Sequence, residues 1–411
     1  MSPSPEFETV TDAIDLGAEL APELVPPEAN GVHPPPPNAP PPVALAARRA
    51  DIDIKQAQVA WLLEQVECEA ALFLAPAHVS WFTAGMNVRG LLADSERPAV
   101  YSNGRQRWLL CSNVDTQRLF DEELDQLGFQ LKEWTWETGR ADLMLNVTTG
   151  RKVCCDRPLP NMPQTTERLR PLLRVLTSYE QDEYRALGRL LAHAVEATAR
   201  NVTRNSTEED VAGQLGHRIL HRGVEPVAIS IAADGRGAMY RRAGFSAAQI
   251  KETCVLQATA QRGGLHVTAS RSVAFGTPPE AFVKAHDLAL KLSAIYRGFS
   301  RPEETMATVR NAGSHVLAGT DYEFDGRFSQ PGYGAGRFAA EELRRGGQDE
   351  RFSLGQALVW QPRVGSAAVV DTVIVGAEGG ECVTPPTDWP FKRVHLRGKT
   401  QDVPDILVAA E

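Results

Sequence analysis

The side chains able to carry acid–base, nucleophilic or metal chemistry are few and scattered along this chain. Past the first 45 residues the histidines are His78, His193, His217, His221, His266, His286, His315 and His395. His217 and His221 stand i,i+4 on a helical stretch, a spacing that can hold a metal, although a solvated helix face explains them more simply. His266, between two apolar strand-like runs, has the ordinary pKa of a general base. It is the one catalytic candidate, set against the plainer reading of a turn or surface histidine. Six cysteines (Cys68, Cys111, Cys154, Cys155, Cys254 and Cys382) form no C-x-x-C pair, which points to reduced thiols inside strands. Arg236, Arg241 and Arg242 could clamp a carboxylate bidentately, the alternative being a solvated basic loop. The stretch GRGAMYRRAG around them lacks the lysine and the strand–turn–helix setting of a phosphate loop, and no local Ser-His-Asp or Cys-His signature exists.

Two kinds of element must position these residues. Ile54, Ala57, Val59, Leu62, Leu63 and Val66 recur at roughly helical spacing, and AALFLA (70–75) then reads as a strand. WFTAG (81–85), AVYS (99–102), RWLLCS (107–112), FQLKEWTW (129–136) and KVCCD (152–156) read as further strands, with a helix over 116–127. Strands alternating with helices make this an α/β domain. The strongest helix signal is 178–203, where Tyr184, Leu187, Leu190, Leu191, Ala194 and Val195 recur at three and four. A second helix is predicted from Ser206, with Glu209 completing a capping box, to Gly223. Strands at 227–233, 254–260 and 272–276 follow. Helices at 278–296 and 303–317 and strands near 357–361 and 368–376 then repeat the order. This sets a domain boundary near Leu176 and an α+β domain with an internal pseudo-repeat.

The chain has 411 residues and a net charge of −9, with 43% hydrophobic and 23% charged residues. That is enough for two cored domains plus a tail. The first 47 residues hold seven acids and no Lys or Arg, which leaves the remainder close to neutral. Without a basic stripe there is no electrostatic footprint for nucleic acid. No run of 18 apolar residues suggests a membrane span, and MSPSPEFETV lacks the basic and apolar regions of a secretory signal. These features favour the cytoplasm. Pro34–Pro37 and Pro40–Pro42 mark residues 1–45 as a disordered Pro-rich acidic tail. The predicted organisation is therefore 1–45 tail, 46–176 α/β domain, 177–390 α+β domain and 391–411 C-terminal tail.

Four local patterns, in order, carry a resemblance to a known family. SYEQDEYRALGRLLAHAVEA resembles the long helix opening its catalytic domain. VLQATAQRGGLHVTASRSVAFG is similar to its two-stranded segment, where two aspartates stand eleven apart. GYGAGRFAAEE (332–342) matches its Gly-His-Gly-x-Gly loop running to a His-Glu pair. ALVWQPRVG and AVVDTVIVGAEGGECVT resemble its closing strands, which hold a Glu-Pro and then a Glu before an Asp-Thr. From about residue 48 to 385 the sequence thus resembles the creatinase/aminopeptidase P family, which includes prolidase and methionine aminopeptidase. The resemblance implies an α/β N-terminal domain followed by an α+β pita-bread domain, and a homodimer.

Family metalloenzymes hold two divalent ions between two Asp, one His and two Glu, with a bridging water as nucleophile. Carried onto this chain, the Asp positions fall on Gln257 and Thr268, the His on Tyr333, and the Glu positions on Gln361 and Val370. An amide, a hydroxyl, a phenol and an alkyl group bring no negative charge to offset two dications, so no metal cofactor is expected. Asp371 cannot replace Val370, because a one-residue shift turns a strand side chain to the opposite face. Glu341 matches the Glu of the His-Glu pair, with Ala340 in place of the His, and Arg271 keeps the family's arginine. Gln257, Thr268, Tyr333, Gln361, Glu341 and Arg271 are accordingly the expected pocket residues, with a lining rich in neutral polar groups. The leading expectation is a pseudoenzyme that binds a small molecule or a peptide end. The alternatives are a creatinase-like, metal-independent C–N hydrolase using His266, and a metallo-aminopeptidase, which the lost ligands oppose.

Overall fold

The computed structural model describes residues 42–409, apart from residues 89, 91, 329, 342, 346, 347, 397 and 398. The expected acidic tail lies outside the described residues up to residue 41, and its last residues already belong to a helix. The first half comprises α1 (Pro42–Gln65), β1 (Ala70–Phe73), α2 (Pro76–Phe82), β2 (Ala99–Ser102), β3 (Arg107–Ser112), α3 (Thr116–Arg118), β4 (Gln130–Trp134), α4 (Ala141–Thr148), β5 (Val153–Cys155) and α5 (Thr166–Arg174). Its strands form one mixed sheet in the order β4-β3-β2-β1-β5, with β3–β4 and β1–β5 parallel. One apolar cluster covers a face of this sheet with Ile52, Leu62, Phe73, Trp81 and Leu109, and a second gathers Leu72, Tyr101, Leu110 and Cys155. Both faces are therefore buried, which is why the short strands read as continuous apolar runs.

The strand predicted at WFTAG is instead the end of α2. Pro76 occupies the first turn of that helix, where its missing N–H costs nothing. Ala84 (φ +49°) and Gly85 (φ +101°) then turn the chain away. The aromatic pair Trp81–Phe82 pointed to a strand by propensity, but both rings pack on Phe73 from a helix.

The second half comprises α6 (Ser178–Ala199), α7 (Glu208–Leu220), β6 (Glu225–Ala233), α8 (Arg236–Met239), β7 (Thr253–Arg262), β8 (Leu265–Phe275), α9 (Glu280–Gly298), α10 (Met306–Leu317), β9 (Gly332–Gly334), β10 (Arg344–Arg345), β11 (Gln348–Asp349), β12 (Ala357–Trp360), β13 (Arg363–Val364), β14 (Ala367–Ala368), β15 (Asp371–Ile374), β16 (Glu381–Cys382), β17 (Phe391–Leu396), β18 (Lys399–Pro404) and β19 (Ile406–Ala409). The helix pair α6–α7 precedes the antiparallel meander β6-β7-β8, and the pair α9–α10 precedes the antiparallel neighbours β9-β12-β15. The order of elements thus repeats. The second helix is capped by Thr207, whose hydroxyl accepts from Asp210 N at 3.1 Å, one residue beyond the predicted cap. One core, from Leu176 to Val403, packs the helices on the two sheets.

Residues 391–409 do not form a detached tail. β17 and β18 make a hairpin, and β19 joins the edge of β8 in parallel register, Ile406 opposite Ser272. Such a non-local pairing leaves no mark in a four-residue strand beyond its apolar character.

Candidate functional site

The site is built where the two meanders meet. β7 and β8 pair with Gln257 opposite Ser270 and Thr259 opposite Thr268, so strand alternation sends all four side chains to one face. Their turn is Gly263–Gly264, both at positive φ (+55° and +72°), as a two-residue hairpin of this hand requires. A Cβ on Gly264 would collide with Ser80 Oγ at 1.9 Å, so the hairpin tip docks directly on the first half. From the second meander, Tyr333 lies opposite Val359, and Gln361 follows two residues on. The two sheets are tied centrally by Thr372 Oγ1 donating to Thr268 O at 2.7 Å and Ser270 N donating to Val370 O at 2.9 Å.

Between them opens a cleft of about 1020 Å³, lined among others by Gln257, Thr259, Tyr333, Gln361 and Glu341. Thr268 stands just behind it, 1% exposed, its hydroxyl 2.9 Å from Thr259 Oγ1 and 3.3 Å from Tyr333 Oη. Burial raises the pKa of the Tyr333 phenol, which therefore stays protonated at neutral pH. Gln361 donates its amide to Gln330 O at 3.3 Å. Val370 is fully buried, with its N–H donating to Ser270 Oγ at 2.7 Å.

Two expected site residues fall elsewhere. Arg271 does not line the cleft: alternation along β8 turns it to the other face, where it is 1% exposed and binds Glu196 at 2.8 Å and Thr384 O at 3.1 Å. Asp371 shares that environment, 3.7 Å from Arg271, its pKa raised by burial. His266 lines a separate cavity of about 310 Å³ at the junction with the first half. Its Nδ1 lies 3.3 Å from Gly336 O, and burial lowers its pKa so that it is neutral. It is not among the residues that line the cleft. His217 and His221 stack at 5.9 Å on an exposed helix face.

The expected neutral lining also needs correction. Arg241, Arg242, Arg310, Arg327 and Arg363 all border the cleft, where among the described residues Glu341 is the one carboxylate. Glu341 is held by Arg170 at 2.5 Å and Arg174 at 3.3 Å. Of the predicted basic cluster, Arg236 pairs with Glu208, Arg241 with Asp325 at 3.1 Å, and Arg242 is exposed at the rim. Arg363, half-buried, was not singled out from sequence. It hydrogen-bonds Gln257 Oε1, and no carboxylate among the described residues pairs with it. Burial, reinforced by Arg241, lowers its pKa, but an arginine remains charged. The available signal was its spacing: two residues after Gln361, alternation returns a cation to the side of the would-be ligands.

This donor set does not fit two divalent ions. Neutral oxygens replace the carboxylates, and among the described residues no three His, Cys, Asp or Glu side chains gather where a metal could bind. A guanidinium also sits against the first ligand position. At about 4 Å and an effective dielectric near 20, a unit charge repels a dication by roughly 8 kcal/mol.

By sequence, no family model and no curated protein matches the chain. Solved structures do. A prolidase from Pyrococcus horikoshii OT3 superposes with TM-score 0.68 and 16% identity over 82% of this chain and 98% of its own. The dipeptidase PepE from Mycobacterium ulcerans gives 0.69 and 17% over 88% and 99%, and the aminopeptidase PepP of Pseudomonas aeruginosa 0.65 and 15% over 84% and 95%. The chain therefore has the two-part architecture of these peptidases, an α/β domain followed by a pita-bread domain. At such identities the likeness establishes the fold, and the chemistry must be argued from the cleft itself.

Proposed function

We propose that this protein is a catalytically degenerate pita-bread protein that binds a ligand in the cleft without hydrolysing it. The observation that carries this reading is Arg363 bonded to Gln257, with Tyr333, Thr268 and Gln361 around them. The family's hydrolysis needs anionic ligands for the metals and a nucleophile generated near pH 7. A phenol, two amides and two hydroxyls supply neither. The creatinase-like alternative gains no support from the cleft lining, because His266 borders another cavity. What remains is a cleft with hydrogen-bonding walls and a rim where Phe328, 67% exposed, stands among arginines, features typical of a recognition site.

Turnover assays with Xaa-Pro dipeptides and with creatine, with and without added Mn²⁺, test this together with elemental analysis of the purified chain. No turnover and no stoichiometric Mn, Co, Zn or Fe is the expected result. One or two ions per chain, lost on changing Tyr333 or Gln361, would refute it. We further propose a homodimer, as the creatinase and aminopeptidase P resemblance implies, and a cytoplasmic location, which the free cysteines favour; light scattering that finds only the 44.8 kDa monomer would contradict the assembly. No helix among the described residues is long and apolar enough to cross a membrane.

A further inference from the structure

We propose that Arg363 is the fixed positive charge of the cleft, standing where the fold's relatives hold metal, and that it makes the cleft a receptor for a small molecule bearing at least two negative oxyanion charges. This rests on the cleft being a binding site and names the chemistry of its ligand.

A desolvated cation is costly unless paired or fully hydrogen-bonded. Arg271 has Glu196, and Arg337 has Glu180 at 2.6 Å. Arg48 donates to the carbonyls of Ala84 and Thr83, both at 3.1 Å. Arg363 has one amide oxygen and an open cleft in front of it. A guanidinium presents five donors in a planar fork, so most of its donor capacity is left for something entering the cleft. The groups beside it point the same way. Gln257 spends its oxygen on Arg363, which directs its amide NH2 group elsewhere as a donor.

The surroundings specify more than one negative charge. Arg242 and Arg327 border the same cleft and are exposed; Arg327 lies over the Phe324 ring at 4.4 Å, which holds it in place without neutralising it. The charge of Arg241 is answered by Asp325, and that of Glu341 by Arg170 and Arg174. Among the described residues the cleft charges left without an ionic partner, Arg363, Arg242 and Arg327, are therefore positive. One oxyanion group on Arg363 leaves the rim arginines for a second. Phosphate and carboxylate both match the fork bidentately, so they share this chemistry.

Isothermal titration of the full chain at fixed ionic strength, with pyrophosphate, citrate and acetate as probes, tests the inference. Both polyanions are expected to bind at least about ten-fold more tightly than acetate. Arg363→Gln is expected to weaken them by about ten-fold or more, Arg363→Lys by less because it keeps the charge but loses the fork, and Arg242→Ala with Arg327→Ala by a few-fold. Whichever of pyrophosphate and citrate binds more tightly identifies the source as an organic phosphate or a polycarboxylate. Acetate binding as tightly as the polyanions, no polyanion binding, or Arg363→Gln binding like the parent would each overturn it. So would loss of the fold in Arg363→Gln, since the charge is assigned to a ligand and not to structure. Hydrolysis of an Xaa-Pro dipeptide would sink the non-hydrolytic reading while leaving the titration standing; a silent titration with no turnover would sink only this inference.

Discussion

Two regions of the molecule bury cationic side chains and treat them in opposite ways. At the junction of the halves, Lys55 on α1 binds Asp51 at 2.5 Å and Glu180 at 2.7 Å, and Glu180 also receives Arg337 from the glycine loop at 2.6 Å. Arg337 then reaches Ser80 Oγ at 3.0 Å, which closes a network from α1 through α6 to the loop. Lys55 and Arg337 each have a carboxylate there, while Arg48 beside them is satisfied by the carbonyls of Ala84 and Thr83. In the cleft, Arg363 has an amide oxygen and a cationic neighbour. The contrast separates charge that builds the fold from charge left over for a partner. The first kind is expected to be expensive to remove, and the second close to free.

The largest effect should come from the junction. Glu180→Gln leaves Lys55 and Arg337 facing each other without their shared counter-ion, and removing one partner of a buried pair costs about 3–5 kcal/mol. Urea denaturation should show a loss of that size, and a loss below about 1 kcal/mol would erase the contrast.

The same carboxylate sets a pH dependence. Burial alone would raise its pKa, but Arg337 and Lys55 outweigh burial and hold it at about 2, below the usual 4.5. A depressed carboxylate contributes stability that is complete above its unfolded pKa and is lost as pH falls toward the folded one. Unfolding midpoints should therefore drop between about pH 4.5 and 2 more steeply in the parent than in Glu180→Gln. Equal slopes would remove Glu180 as the cause.

In the cleft the effects shrink. Tyr333→Phe removes a hydroxyl bonded to Thr268 and should cost about 1 kcal/mol. Arg363→Met, without ligand, should change stability by no more than about 0.5 kcal/mol, or raise it, because it removes a half-buried charge that no carboxylate answers. A loss comparable to that of Glu180→Gln would make Arg363 structural and collapse the distinction.

Which parts were legible in sequence follows the same division between local and non-local causes. α6 was readable because Tyr184, Leu187, Leu191 and Val195 must lie on one buried face, and all four are buried. β3 carries its signal in its own apolar run and matches its predicted bounds, Arg107–Ser112. The cap of α7 was missed by one residue because Ser206 and Thr207 both offer a hydroxyl, and only tertiary geometry chooses between them. β19 was missed because its partner, β8, lies more than 130 residues away. In the site, Gln257, Thr268, Tyr333 and Gln361 were reached through the family resemblance, whose eleven-residue separation the first two keep. The charge of the cleft was not. A sequence shows that an arginine is present but not whether a carboxylate stands opposite, as it does for Arg236 and Arg271 and does not for Arg363.

The most direct test of the central claim, that an arginine and not metal is the cation of this cleft, is an anomalous difference map at the manganese edge from crystals soaked in MnCl2. No peak is expected within coordination distance of Gln257, Thr268, Tyr333 and Gln361, with Arg363 still hydrogen-bonded to Gln257. A manganese peak among those four side chains, with Arg363 displaced, would contradict it.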